Sequence, residues 1–576
     1  VRGGGPAIAD LGLTPGHKSI VFGTSNGRLY VVRHDGTVAP GFPVTLPREI
    51  VSAPAVGTLT KPDGSKVVAI VVGYGSNFAG QVDAGGVRAY LTNGALLWEK
   101  LSGAYVGATA PVVSAPAIGD LDNDGRNEVV WTSFDEHVHV SDGGTGTEKS
   151  GWPYRTYDTI WSSPALHDID GDGRLEVVVG SDQHLEAPPI GTPDGGGLYV
   201  IRADGQNLPG FPKFFDQVLS SSPAVGDIDG DGKPEIVVGT GGFWPNRAHS
   251  LYAIECTGAA VPGWPVAVQG QVVTSPALAD LNADGVPEVI ATDDSSSPDG
   301  LRRLYAFRGN GTSLFTPVVI RDYFGANLSA GDPVVGDVLG STSPEILVPT
   351  NGEICVVSSA GVQLTDDGGH ASGKFSFMVA TSLSNATVAE LDSDGLAVEV
   401  IAIAGAATAG NLGVWIWNPK APTLPIPWGS FHRDFTRDGT VPGTPTCATS
   451  ARLHTLPPCR VLDTRGISVG AIAGGAFAAG ETRSYSLSGR CGVPAAARAI
   501  ALNLTVISPG ATGSITAFPG DQTALPVASS LSYKPGVTRA NNAVVRLSTD
   551  GTATLKLSNV STGGTHVLFD VSGYFE

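Results

Sequence analysis

One phrase recurs along the first three quarters of the chain. It reads Pro6-Ala-Ile-Ala-Asp10, Pro54-Ala-Val-Gly57, Pro116-Ala-Ile-Gly-Asp120, Pro164-Ala-Leu-His-Asp168, Pro223-Ala-Val-Gly-Asp227 and Pro276-Ala-Leu-Ala-Asp280, with two worn copies at Pro333 and Ala386. Successive starts lie 48, 62, 48, 59, 53, 57 and 53 residues apart. That period is too long for leucine-rich or ankyrin units and suits a four-stranded blade. With 78 Gly and 41 Pro among 576 residues, helix interiors are disfavoured throughout. The expected fold is therefore all-β: an eight-bladed propeller, or a seven-bladed one, over residues 1–440.

Within each copy, alternation and β-branched content mark the strands. In the fifth copy Ser221–Asp227 reads as the inner strand, Glu235–Gly239 as the second, Leu251–Ile254 as the third and Pro262–Pro265 as the start of the outer one. The Gly-aromatic-Pro phrase recurs at Gly41, Gly151, Gly210 and Gly263. A bulky ring at one fixed place per repeat is expected to fill the wedge between neighbouring sheets, because a lone blade cannot bury both its faces.

Four copies carry an acidic loop of fixed spacing between their first two strands. The loops are Asp120, Asp122, Asp124, Arg126, Glu128; Asp168, Asp170, Asp172, Arg174, Glu176; Asp227, Asp229, Asp231, Lys233, Glu235; and Asp280, Asn282, Asp284, Val286, Glu288. Oxygen ligands at positions 1, 3, 5 and 9, a carbonyl at 7 and Gly at 6 reproduce the start of an EF-hand loop. Such a flexible, all-oxygen ring selects Ca²⁺ over Mg²⁺ and over metals that want His or Cys. The loops hold 15 of the 54 acidic residues, a density that repels itself unless a cation is present. About four structural calcium sites are expected. A fifth is a candidate at Glu390, Asp392 and Asp394, although Glu399 follows one place late. Copy seven keeps Asp337 and Glu345 but has Leu339 at position 3, copy one has Asp10 alone and copy two has Thr58, so these three loops are expected to be empty.

The phrase Pro-Ala-x-x-Asp-x-Asp-x-Asp-Gly-x-x-Glu, followed by an apolar strand, resembles the FG-GAP/VCBS repeat of integrin α-subunit propellers and of many secreted bacterial proteins. The resemblance spans roughly residues 1–440. It implies a calcium-binding β-propeller with an extracellular adhesion, lectin-like or scaffold role. Rhamnogalacturonan-type polysaccharide lyases are similar calcium-bearing eight-bladed propellers, so the resemblance also admits an enzyme.

After Trp428–Asp434 the repeat stops, and residues 441–451 read as a linker of turn residues. Clean alternation in Ala499–Val506, Ala543–Leu547, Ala553–Leu557 and His566–Tyr574 predicts a β-sandwich over 452–576. It resembles an accessory domain of secreted bacterial proteins, marked by Cys459–Arg465, Cys491–Pro494, Arg539–Asn542 and Asp570–Tyr574. Asp463, Arg465, Arg539 and Asn542 are candidates for a polar binding site or for a buried ion-pair network. Cys459 and Cys491 are the expected disulfide, with Cys447 as an alternative partner, while Cys256 and Cys355 read as small buried hydrophobes. A disulfide favours an oxidising, extracytoplasmic compartment.

The net charge of −19 disfavours nucleic acid and anionic membrane surfaces. No apolar run of 18 residues predicts a membrane span. The start has neither an initiator Met nor a signal pattern, which leaves room for a leader upstream. The leading expectation is a secreted or cell-surface binding, adhesion or structural protein with glycan or protein partners and possible self-association. Specificity would lie in the inserts Gly73–Gly86, Ser181–Gly197 and Asp293–Arg303. The competing expectation is a polysaccharide-active enzyme, although no catalytic motif or histidine cluster supports one. His137 and His139 share one strand face, where a metal or simple exposure are the two readings. No catalytic residue is assigned.

Overall fold

The computed structural model describes residues 5–575 except 76–84, 106–107, 184–193, 243, 245–246, 248, 295, 324, 326–330, 342, 351–352, 370–376, 379–384, 393–397, 406–411, 418–425, 428–431, 435, 448–452, 496, 528 and 549–551. Every regular element among them is a strand. The chain divides into two compact units, Val1–Ala448 and Thr449–Glu576.

The first unit is a succession of antiparallel sheets, one per repeat. Seven have four strands in chain order, and in the eighth the strands Thr387–Ala389, Glu399–Gly405 and Leu412–Trp417 are described. The fifth sheet is representative. It comprises Ala224–Gly226, Glu235–Gly239, Ser250–Glu255 and Val266–Ala267, paired through Val225 to Ile236, Val237 to Ala253 and Leu251 to Val266. Glu235–Gly239 is buried along its whole length, as an apolar run packed on both faces requires. The outer strand starts later than the sequence suggested. Pro262–Pro265 forms a turn instead, because Gly263 adopts a φ of 92° and Pro265 lacks the amide a ladder needs.

Each sheet's first strand touches that of the next, and Thr387–Ala389 of the eighth touches Ala7–Ala9 of the first. Ile8, Ile20 and Phe22 share a core with Leu391, Ile401 and Ile403, and the Thr387 hydroxyl donates to the Pro6 carbonyl at 2.9 Å. Trp152, Phe211 and Trp264 are buried in the cores between sheets. The glycine before each ring has a separate task. A Cβ on Gly210 would lie 2.2 Å from the Thr257 carbonyl oxygen, and one on Gly258 2.5 Å from that of Gly210. Two turns in adjacent sheets thus interlock at backbone distance. The same pairing recurs at Gly41 with Gly94, Gly151 with Gly205 and Gly263 with Gly311.

A segment beyond the eighth sheet crosses the inner strands of the first five. The amides of Ile118, Leu166 and Val225 donate to the carbonyls of Thr436, Asp438 and Gly439, and Val441 donates to Val225. Arg437 is 0% exposed, its guanidinium donating to the carbonyls of Pro54, Gly5 and Pro6 at 3.1 to 3.2 Å. Buried His432 links the Arg437 carbonyl to that of Pro223. Residues 441–447, read above as the start of a linker, belong to this segment. Its end is pinned by a disulfide between Cys447 and Cys256, which corrects the reading of Cys256 as an isolated buried hydrophobe. The bond joins positions 191 residues apart, a pairing that spacing does not reveal. Cys355 is free and buried, and Cys459 is bonded to Cys491.

The second unit has two four-stranded sheets. One runs Leu453–Asp463, His566–Phe575, Ala499–Ile507, Arg539–Arg546; the other Thr482–Ser486, Thr554–Ser561, Gly513–Pro519, Leu531–Tyr533. Ile500, Leu502, Leu504 and Val506 from the first sheet meet Ile515, Leu555 and Leu557 from the second in one core. Along Ala499–Ile507 buried and half-buried residues alternate strictly, the signature of a sheet with one face on the core.

Candidate metal centre

The acidic loops share one hydrogen-bond frame, laid down by their spacing. The first Asp accepts from the amide of the Gly at position 6: Asp120 from Gly125, Asp168 from Gly173, Asp227 from Gly232 and Asp280 from Gly285, at 2.8 to 3.0 Å. These glycines have φ between 82° and 91°, a conformation that L side chains rarely adopt. The Asp at position 5 accepts from the amide at position 7, so Asp124, Asp172, Asp231 and Asp284 each hold Arg126, Arg174, Lys233 and Val286. The terminal Glu begins the second strand and reaches back. Glu128, Glu176, Glu235 and Glu288 accept from Leu121, Ile169, Ile228 and Leu281 at 2.7 to 2.9 Å.

Three of these four loops bring the acids at positions 1, 3 and 9 to within 4.8 Å of one another: Asp120, Asp122, Glu128; Asp168, Asp170, Glu176; and Asp227, Asp229, Glu235. The position-5 acids lie outside those groups. In the loop at 280–288 the Asn282 amide donates to Glu288 at 2.5 Å, and three acids do not converge there. A fourth convergent group is Glu390, Asp392 and Glu399. Glu399 comes one place late in sequence, yet it accepts from Leu391 at 2.8 Å as its counterparts do, so the extra residue leaves that bond in place. Asp394 lies outside the described residues. Glu345 makes the same bond to Val338, and the Ser341 hydroxyl caps its other oxygen. In copy two Thr58 sits within strand Ala55–Thr60, paired with Val68, and the chain turns tightly through Asp63. Asp10 of copy one accepts from Gly12.

These carboxylates suit a hard cation on electrostatic grounds. Glu128, Glu176 and Glu235 are fully buried, and one oxygen each of Asp122, Glu176 and Glu235, together with both of Glu390, lacks a hydrogen-bond partner. Burial, with Asp170 adding, pushes the Glu176 carboxyl up to about 8. Burial, with Asp229 and Glu255 adding, does the same to Glu235, also to about 8. Burial raises Glu399 to about 7, helped by Asp392 and Glu390. An orphaned, desolvated acid among other acids is what a cation relieves. The cationic side chains nearby differ between loops. Lys149 stands 2.9 Å from both Asp122 and Glu128, Arg202 grips Asp170, and Lys233 pairs with Asp231.

The other sequence candidates resolve differently. His139 is buried rather than exposed. It stacks on Trp131 at 3.9 Å, with Asp135 3.0 Å from Nε2 and Glu148 3.2 Å from Nδ1. Although burial opposes it, those two acids hold its pKa above the usual value. Asp463 pairs with Arg465 and Ser468, and Arg539 and Asn542 lie on the edge strand at the other side of the same sheet. Of the inserts, 76–84 and 184–193 lie outside the described residues, and Asp293–Arg303 is tied down by Tyr305 to Asp293 and Arg303 to Asp299. The segment 432–447 was missed as a structural element. Its one available signal was the pair Arg433 and Arg437 interleaved with Asp434 and Asp438.

Family models match in two places: an FG-GAP-like repeat over residues 120–179 and an FG-GAP repeat over 220–249. The chain carries FG-GAP repeats, and the matched segments contain the three loops 120–128, 168–176 and 227–235. Among solved structures, BamB from Moraxella catarrhalis aligns at 15% identity over 72% of this chain and 96% of its own, with a TM-score of 0.40. Sqt1 from Saccharomyces cerevisiae aligns at 11% identity over 73% and 97%, with a TM-score of 0.47. The V. cholerae biofilm matrix protein Bap1 aligns at 14% identity over 69% and 94%, with a TM-score of 0.37. No curated protein matches the sequence.

Proposed function

We propose that this chain, a carrier of FG-GAP repeats, is an extracellular binding or structural scaffold: an eight-bladed propeller over residues 1–440, stiffened by calcium, followed by a β-sandwich over 452–576. The observation that carries the reading is the convergence of three acids at the same place in several sheets, with one oxygen of the buried terminal Glu left unbonded in two of them, Glu176 and Glu235. Asp120, Asp122, Glu128; Asp168, Asp170, Glu176; Asp227, Asp229, Glu235; and Glu390, Asp392, Glu399 are the residues that would hold the ions, with Asp124, Asp172, Asp231 and the carbonyls of Arg126, Arg174 and Lys233 completing the shell. Asp280, Asp284, Glu288, Asn282 and the Val286 carbonyl would form a weaker site. A hard divalent cation there supplies charge neutralisation and a cross-link between the first two strands of a sheet. The Glu, anchored by a backbone amide, fixes where that cross-link attaches. The terminal Glu carboxyls of the first three loops are fully buried and each serves a backbone amide of its own loop, which supports structural sites.

Two disulfides, of which one pins the segment 432–447, support an oxidising compartment outside the cytoplasm. A ring of stiff sheets with exposed connections suits recognition of glycans or proteins. A panel of acidic and neutral polysaccharides offered with calcium tests this reading. Saturable binding without new reducing ends or unsaturated products is expected, and sustained release of either product would assign the chain to the polysaccharide-active enzymes instead.

A further inference from the structure

In the second unit, four polar residues line up across the sheet face that points away from the core. Arg460 is in register with Asp570, Asp570 with Asn503, and Asn503 with Asn542, one residue from each strand. Three inter-strand steps make this row about 14 Å long. It lies in a groove of about 900 Å³ whose lining includes Ala501 and Val544, a neighbouring pair in which Val544 is 64% exposed. Two observations set this row apart from ordinary solvated surface. Asn503 Oδ1 is buried yet has no hydrogen-bond partner, an unmet acceptor at the centre of the row. Arg460 and Asp570 hold each other in a two-pronged pair at 2.7 and 2.8 Å, which fixes both groups and cancels their charges.

We propose that this groove binds a neutral, hydroxyl-rich oligosaccharide. A sugar's neighbouring hydroxyls donate and accept at once, and so do the amides of Asn503 and Asn542. The groove lining contains one cation and one anion already paired, so a charged ligand gains nothing there. The row is longer than a single sugar ring, and the lining has no aromatic anchor of the kind that dominates protein interfaces. This site is separate from the acid loops and does not depend on calcium.

The test is a neutral-oligosaccharide array probed with the full chain, in calcium and in chelator, below the chelated melting temperature. Wild type is expected to retain at least one oligosaccharide class equally in both buffers. The Asn503→Ala/Asn542→Ala double variant, whose side chains leave the core untouched, is expected to bind about tenfold or more weakly with its thermal transitions unchanged. Absence of any neutral ligand, or undiminished binding by the double variant, overturns the proposal. So does a change of oligomeric state in the variant without a change in sugar binding, which would make this face a contact between copies. Each of those results leaves the chelator response of the acid loops as it was, so the two readings fail separately.

Discussion

Arg437→Ala is expected to cut the stability of the first unit by about 3–5 kcal/mol. The side chain is fully buried and its guanidinium serves carbonyls at Gly5, Pro6 and Pro54, which lead into the first strands of two different sheets. Removing it takes a donor from each of those carbonyls, of which Pro6 keeps the Thr387 hydroxyl, and opens a cavity the size of a long side chain. Burial drags its pKa down to about 10, with Asp434 opposing, so the group still stays charged near neutrality. Arg433→Ala, by contrast, breaks a half-buried pair with Asp438 and should have a much smaller effect. Calorimetry of the full chain separates the units if their transitions are distinct. A first-unit transition no lower in Arg437→Ala than in Arg433→Ala would show that the segment 432–447 is a passive tail.

Chelation is expected to have the larger effect still. A site held at a hundredfold excess of cation over its dissociation constant contributes about 2.7 kcal/mol, and several sites act in one cooperative unit. The melting temperature of the first unit should therefore fall by many degrees in chelator, with the second unit unmoved. The pH dependence has a definite sign. Without cation, Glu176 and Glu235 have folded pKa values of about 8, above the ordinary carboxylate value of 4.5. The folded chain then holds protons that the unfolded chain has lost, so stability is fullest below about pH 4.5 and declines as pH rises through about 8. With saturating calcium the carboxylates are paired and that decline should vanish, so the gap between the two buffers widens with pH. Glu235→Gln should narrow it. A gap that is constant between pH 5 and 8 would mean these acids are not where the ion acts.

Much of this was legible because it is local. The strand Glu235–Gly239 begins and ends where the repeat placed it, since an apolar run bounded by a turn loop and Gly needs no distant information. The alternation in Ala499–Ile507 was equally direct. What escaped was long-range. Arg437 lies between the last repeat and the linker at 441–451, where no local pattern marks it, and its partners are near residues 5 and 54, more than 380 positions away. Cys256 looked solitary in a strand because Cys447 lies on that same segment. Glu399 looked misplaced because spacing counts residues, whereas the site depends on where the first and second strands converge. His139 looked exposed because strand alternation cannot say that Trp131 will cover it. The polar row in the second unit needs a register between four strands, which no single strand contains.

The most direct test of the buried-acid loops is anomalous diffraction from crystals grown in millimolar calcium. Peaks are expected between Asp168, Asp170 and Glu176 and between Asp227, Asp229 and Glu235, each lost in the matching Glu→Gln variant. Well-ordered loops without a peak at either position would contradict a cation-stiffened ring of sheets.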